Sequence, residues 1–424
     1  MNSFTISELK PGIFFTSDAM LDDKFILLSN ATPLTETLAK ALIEWDFGAI
    51  LSEGNTTDKS QLPVQKKQTD DEKRPRLRAP VLPPQKDFSA MNAGIKSVMG
   101  APGTEGRTSY DIEMKRLAVV EKVYNEYMQY TDTMFTRFAT HKELDLKTIT
   151  QGIKDMCIFI KDSSRYLLRV IQSADVHDTH FLTSHSLRTT VLAITIGFQL
   201  NLPLSKLVEL GISCIVHELG MLKIPPHLYT TERLLTLSEK RILSTHPVLT
   251  YNILKDYGFP SNICLGALEH RERENSSGYP RKLNGSEISL YAKIIGVACT
   301  FESMTAGRRF KEAQNANAVL LELLRNTGNQ YDENILKALL CSLSLYPIGT
   351  YVFLSDGKIG ISVDTNPSDP KNPLIQLIYE TDANGEPKIV QPGTRDLSIT
   401  RALTETEITD LLKSMPDKKQ ERKS

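Results

Sequence analysis

Apolar positions along the chain fall into three regimes. From Tyr110 to about Leu340 they recur every three to four residues, and Leu117, Val120, Tyr124, Tyr127, Thr131, Met134 and Phe138 keep a 3.6-residue period. That spacing predicts a long first helix, with its aromatic residues on a packing face. Further helices are predicted over 147–173, 184–200, 205–218, 238–257, 261–269, 289–305 and 312–325. Ahead of this body, 13–16, 24–28 and 47–51 read as short strands, and Pro33 opens a helix carrying Leu34, Leu38, Leu42 and Ile43. Behind it the period drops to two over 349–354, 358–364 and 374–379, with Asp356-Gly357 as a hairpin turn between the first two.

These regimes divide the chain into a small α+β N-terminal domain (1–52), a linker (53–109), a helical segment packing on the core (110–175), a helical domain (176–345), a β-rich extension (346–403) and a tail (404–424) that is polar from Lys413 on. The fold class is mainly α. Residues 55–86 are rich in Lys, Gln, Asp and Pro and bury too little apolar surface to offset the entropy of ordering, so a disordered linker is expected there. The run Lys73-Arg74-Pro75-Arg76-Leu77-Arg78 offers a basic docking segment as the alternative.

The charge balance narrows the class. Fifty Lys and Arg against 51 Asp and Glu leave a net charge of -1, which gives no footprint for a nucleic-acid partner. Apolar runs such as 191–197 fall short of the roughly 20 residues a membrane helix needs. The N-terminal residues lack the basic-then-apolar pattern of a signal peptide. Five widely spaced cysteines, at 157, 214, 264, 299 and 341, fit a reducing cytoplasm better than a disulfide framework, and Cys214 and Cys264 read as core.

The candidate chemistry is carried by histidine. Seven of the eight histidines lie between 177 and 270. His185 starts a helix, His217-Glu218 ends an apolar one, His246 precedes Pro247, and His270 ends the short helix before Arg271. A charged pair at the end of an apolar helix is costly to bury unless satisfied, and a metal would satisfy it. His141, His177, His180 and His227 read as surface or loop residues.

The landmarks His185-Ser186-Leu187-Arg188, His217-Glu218-Leu219-Gly220, His246-Pro247, His270-Arg271-Glu272, Ser277-Gly278-Tyr279-Pro280 and Thr305-Ala306-Gly307-Arg308-Arg309-Phe310 follow one another in order. In order and spacing this stretch resembles the HD-GYP family of metal-dependent phosphohydrolases. The resemblance implies an all-helical domain that holds two or three metal ions and hydrolyses cyclic di-GMP. It also implies roles. Residues matching His185, His217, Glu218 and Cys299 would hold one ion, and the bridging Glu218 with His246, His270 and Arg271 would stand at the second. Glu218 is the catalytic carboxylate, while Arg188, Arg271, Gly278, Tyr279, Pro280 and Arg308 would face the phosphates of the substrate. Residues 4–51 and 346–380 resemble the small domain and the β extension that flank such domains.

The chain departs from the family pattern at the centre of the site. His-Asp is His217-Glu218, the following Gly-Lys is Gly220-Met221, His-His-Glu is His270-Arg271-Glu272, the Asp-Gly before the turn is Asn275-Ser276, the late metal-binding Asp is Cys299 and the Asp three residues on is Glu302. Two His, a carboxylate and a thiolate suit Zn²⁺ better than Mn²⁺ or Mg²⁺. Arginine cannot ligate and brings a fixed positive charge. The expectation is a divalent metal (Zn, Fe or Mn), one or two ions or none, and a degenerate phosphodiesterase that binds cyclic di-GMP or a related nucleotide with weak or no turnover. Diguanylate cyclase domains and a second copy of the chain are the partners considered. Two alternatives stay open: an active cyclic di-GMP phosphodiesterase with altered ligands, and a one-metal phosphohydrolase on another nucleotide.

Overall fold

The computed structural model describes residues 2–17, 19–20, 26–28, 33–44, 47–58, 109–173, 181–231, 233–307, 313–366, 368–383, 385–393 and 396–414. The expected linker therefore lies almost wholly outside the described residues, as do His177, His180 and Arg308. The chain divides into two compact units, 1–83 and 84–424.

In the first unit, strands β1 (Asn2–Thr5), β2 (Phe14–Phe15), β3 (Ala19–Met20), β4 (Ile26–Leu28), β5 (Ala49–Ser52) and β6 (Thr56–Thr57) accompany helix α1 (Glu36–Glu44). A four-stranded sheet has the order β1-β5-β3-β4, and β2 pairs with β6, so folded structure runs a few residues beyond position 52. Ile6, Phe15, Leu34, Leu42 and Ile50 form its core.

The second unit opens on two long helices, α2 (Ser109–His141) and α3 (Leu146–Ser173), which share one core with the helices that follow. Tyr124, Tyr127 and Phe138 all sit in that core. The central element is α4 (Phe181–Gln199). Every residue from Thr183 to Gly197 is buried, because α2, α3, α5 (Leu204–Ile215), α10 (Leu290–Thr305) and α12 (Glu333–Leu343) surround it. Between α5 and α10 come a 3-10 turn (Leu219–Lys223), a short α6 (Pro226–Tyr229), α7 (Leu237–Leu243), α8 (His246–Asp256) and α9 (Ser261–Glu269), and α11 (Ala316–Arg325) follows α10. Strands β7 (Tyr351–Leu354), β8 (Ile359–Asp364), β9 (Leu374–Thr381), β10 (Pro387–Val390) and β11 (Ile399–Ala402) form one antiparallel sheet of order β10-β9-β8-β7-β11. Arg165 of α3 ties this sheet to the helical body through Asp364, at 2.6 Å.

Two expectations are corrected, and two helices add to the reading. The helix predicted to reach Glu218 stops at Ile215, which leaves His217 and Glu218 in a turn. The helix predicted over 238–257 breaks before His246, because Pro247 lacks an N–H and is tolerated only in a first turn. Residues 333–343 are helical, started by Asp332, whose side chain accepts from the amides of Asn334 and Ile335. Glu405–Ser414 is also a helix (α13), opened by the reciprocal bonds Thr404 N–H to Glu407 Oε2 (2.8 Å) and Glu407 N–H to Thr404 Oγ1 (3.4 Å).

One close approach positions the site. Gly220 in the 3-10 turn lies against α8, where a Cβ would come within 2.2 Å of the His246 carbonyl oxygen and 2.8 Å of the Thr250 nitrogen. Thr250 Oγ1 accepts from Gly220 N–H (2.9 Å) and donates to the His217 carbonyl (3.0 Å), which locks the turn that carries His217 and Glu218 onto the helix that carries His246. Gly220→Ala is expected to force these elements apart and lower stability by about 1–3 kcal/mol, an overpacking cost. Thermal unfolding of the two proteins, compared in metal-free buffer, checks this.

Candidate metal centre

Three of the four clustered histidines stand just past a helix C-terminus, where the last carbonyls have no helical partner. Each ring uses its Nδ1–H to satisfy one of them. His217 donates to Cys214 O of α5 (2.5 Å), His246 to Leu243 O of α7 (2.7 Å) and His270 to Ala267 O of α9 (2.7 Å). A carbonyl can only accept, so the tautomer follows and the Nε2 lone pair of each ring is turned inward. The fourth, His185, enters from the first turn of α4, with its Nδ1 hydrogen-bonded to Glu302 of α10. A ligand histidine held from behind through its other nitrogen is what a metal site needs.

The inward atoms meet at Glu218. His217 Nε2 and His185 Nε2 lie 3.6 and 3.8 Å from Glu218 Oε1, and His246 Nε2 lies 3.6 Å from Oε2. Cys299 Sγ is 3.5 Å from His185 Nε2. Two ligand-atom groups result, each spanning at most 4.8 Å: His185, His217, Glu218 and Cys299, and Glu218, His246 and His270. All six residues are buried. These are the six metal candidates of the sequence, brought together by five separate elements and sharing one carboxylate.

The two halves differ in their electrostatics. In the first, His217 Nε2 is a fully buried nitrogen with no hydrogen-bond partner. Burial pushes the Cys299 thiol up, but Arg271 and His185 outweigh it and hold the group well below its ordinary value, as a thiolate. Burial also opposes charge on His185, yet Glu302 and Cys299 raise it to about 10. The proton on His185 is therefore the one a metal would displace. An orphaned nitrogen, a thiolate and a carboxylate in one pocket are a donor set that would suit a divalent ion such as zinc.

In the second half Arg271 intrudes. Its Nη2 donates to Glu218 Oε1 and its Nε donates to His270 Nε2, both at 3.1 Å. Burial favours the neutral form of His246 and His270, and both stay below the ordinary histidine value, His270 well below. Glu218 is ionised: burial raises its carboxyl, but the histidines and the Arg271 guanidinium lower it further. Arg271 thus takes up the His270 lone pair and one oxygen of Glu218.

A cleft of about 420 Å³ opens onto this centre, with His185, Glu218, His246, Arg271, Tyr279 and Met221 in its lining. Gly278 has no room for a side chain: a Cβ there would sit 2.4 Å from Glu272 Cα and 2.5 Å from Arg273 N, so the turn hugs the segment after α9 and brings Tyr279 to the cleft, with Pro280 next to it. Glu272 anchors this loop by accepting from the amides of Arg281 (2.6 Å) and Leu283 (3.1 Å), and so is committed elsewhere. Arg188 lines a different cavity. Arg308 lies outside the described residues. His141 and His227 are exposed. Sequence reasoning missed two cations of the cleft lining, Arg233 and Lys240. Nothing in their local pattern marks them, since both sit on the exposed segment leading through α7.

A helical body with this histidine–carboxylate centre defines an HD domain, and residues 170–335 match the model of the family described as "HD domain". Curated relatives that match over this stretch support the HD-GYP resemblance. Cyclic di-GMP phosphodiesterase PdeB of Borreliella burgdorferi is 29% identical over 234 residues, which is 54% of this chain and 62% of that protein. Cyclic di-GMP phosphodiesterase PA4108 of Pseudomonas aeruginosa is 26% identical over 196 residues, 46% of this chain and 47% of that one. Cyclic di-GMP phosphodiesterase response regulator RpfG of Xanthomonas campestris is 31% identical over 176 residues, 41% and 46% of the two chains. The chain thus spans about half to three-fifths of the length of these relatives. Among solved structures, an HDG"Y"P protein from Bdellovibrio bacteriovorus aligns over 80% of this chain and 97% of its own at 14% identity, with a TM-score of 0.45. Among the described residues, no helix is long and apolar enough to cross a membrane.

Proposed function

We propose that this domain binds a cyclic dinucleotide of the cyclic di-GMP type at a one-metal centre and hydrolyses it slowly. His185, His217, Glu218 and Cys299 would hold the ion, and zinc suits that donor set best. The observation that carries the reading is Arg271. It is bonded to both Glu218 and His270, in the half of the site where a second ion would stand, while the first half keeps an unpartnered His217 Nε2. The relatives that bear the name cyclic di-GMP phosphodiesterase support the substrate class.

When bound, the ion supplies a Lewis acid and a water of lowered pKa. The residues do the rest. Glu218, kept ionised, would supply the carboxylate that holds the ion. Arg271 presents a fixed cation at the mouth of the cleft, where its guanidinium can take a phosphate oxygen. Lys240 adds positive charge to the same cleft, where Met221 leaves none, while the Arg233 guanidinium is paired with Glu239. Two-metal hydrolysis clamps both the attacking and the leaving oxygen, and an arginine placed as Arg271 is stabilises charge without delivering a second activated oxygen. Slow turnover follows.

Elemental analysis of protein purified without added metal, with a cyclic di-GMP hydrolysis assay on the same sample, tests this. We expect close to one ion per chain, zinc in excess of manganese and iron, and turnover well under about 1 s⁻¹, the low end of common enzymes. Two ions per chain with turnover in the ordinary range would overturn the one-metal reading. One ion with no cyclic dinucleotide binding would overturn the substrate class.

A further inference from the structure

Arg188 is one turn along α4 from His185, yet it faces away from the metal cleft. It lines a second cavity of about 520 Å³, between the helical body and the start of the C-terminal sheet. The side chain is only 7% exposed, and its Nε is buried with no hydrogen-bond partner. The carboxylate beside it, Glu302 Oε1, is 3.9 Å from Nη1, beyond hydrogen-bond range. A buried guanidinium carries a desolvation cost that a loose contact at that distance offsets poorly. A second arginine, Arg169 of α3, lines the same cavity, as does Asn315 at the N-terminus of the ten-residue helix α11. Leu192 and Phe301 give the cavity an apolar wall. Among the described residues the charged lining is two arginines and one carboxylate, and the volume falls in the range of small-ligand sites.

We propose that this cavity is a binding site for a phosphate monoester carrying a flat apolar body, a mononucleotide in size and chemistry, and that its occupancy bears on the metal centre through Glu302. The phosphate takes the Arg188 fork bidentately, with Arg169 as the second cation and the apolar wall receiving the ring. Glu302 is the link. One of its oxygens is the near neighbour of Arg188, and the other holds His185 Nδ1. An anion that draws the guanidinium towards itself strips positive charge from Glu302, and the carboxylate then acts more strongly on His185. Binding in the cavity does not depend on the proposed hydrolytic function, whereas the coupling rests on His185 being a metal ligand.

The full chain, stripped of metal by a chelator, is titrated calorimetrically with inorganic phosphate, AMP and GMP. One nucleotide site per chain is expected, tighter for the nucleotides than for phosphate. Arg188→Gln is expected to weaken it at least about tenfold, the effect of losing hydrogen bonds to a charged group. Arg169→Gln, at a half-buried position, is expected to weaken it less and guards against a fold defect in the buried variant. Arg271→Gln, in the other cleft, is expected to leave it unchanged. No nucleotide binding by the metal-free chain, or binding that Arg271→Gln removes and Arg188→Gln does not, would overturn the site. Zinc affinity is then measured with a competing chelator, with and without saturating nucleotide. A several-fold rise is expected, and an unchanged affinity despite nucleotide binding would overturn the coupling and leave the site standing. Failure of the cyclic dinucleotide assay touches neither result.

Discussion

His217→Ala is expected to abolish high-affinity zinc binding, with affinity falling by more than about 100-fold, since even the loss of a supporting outer-shell partner costs about 10–100-fold. The reason is geometric. His217 is the buried histidine whose Nε2 lacks any partner, and its ring is fixed by the Cys214 carbonyl, so no neighbour can swing in to replace it. The clearest readout is thermal. An ion at about 100 times its Kd stabilises the native state by about 2.7 kcal/mol, which amounts to about 5–10 °C in a domain of this size. The wild-type chain should show that zinc-dependent rise and His217→Ala should lose it. His227→Ala, at an exposed position, should keep it. Cys299→Ser retains nearly the same volume and is expected to bind metal with the preference moved from zinc towards manganese, because the soft donor is gone. A zinc-dependent rise that survives in His217→Ala would place the ion elsewhere.

How much of this was legible in the sequence depends on what each feature rests on. The helical body was, because a 3.6-residue apolar period over α2 and α3 is enforced by burial against the rest of the core. The six candidate ligands came from the resemblance to a known family, and the fold brings their donor atoms within 4.8 Å in two groups. The break before His246 was legible in part, since Pro247 has no N–H and opens the next segment. The turn at His217 was not: a side-chain bond from its ring to the Cys214 carbonyl closes that helix end, and propensity contains no term for a ring acting as a cap. The orientation of Arg188 was equally hidden. The resemblance implied that Arg188 faces the same site as His185, three residues away on one helix, but the two side chains leave α4 towards different cavities. Arg233 and Lys240 reach the cleft through the packing of the segment leading into α7, and such long-range placement leaves no local trace.

Arg271→His is expected to convert the centre from one ion to two. In the wild-type chain the guanidinium sits against Glu218 and His270, the same atoms a second ion would need. A unit charge and a divalent ion about 4 Å apart repel by about 8 kcal/mol at an effective dielectric of about 20. That exceeds what a histidine pair and half a carboxylate can recover, so Arg271 would have to leave before a second ion enters. Its side chain is a quarter exposed, which gives it a route out but no stronger partner than the ionised Glu218 it would abandon. An imidazole at this position removes the charge and adds a nitrogen donor beside His246 and His270. Metal content of the purified variant should rise towards two ions per chain, and cyclic di-GMP turnover should rise at least about tenfold, since a single well-placed electrostatic stabiliser is worth about 10²–10³ in rate. Arg271→Gln separates the two contributions: it removes the charge without offering a ligand, and should gain neither the second ion nor the rate. If Arg271→His still holds one ion, the guanidinium is not what excludes the second. The cause would then lie in Glu218, whose extra methylene relative to aspartate moves the shared carboxylate off the position from which it could bridge.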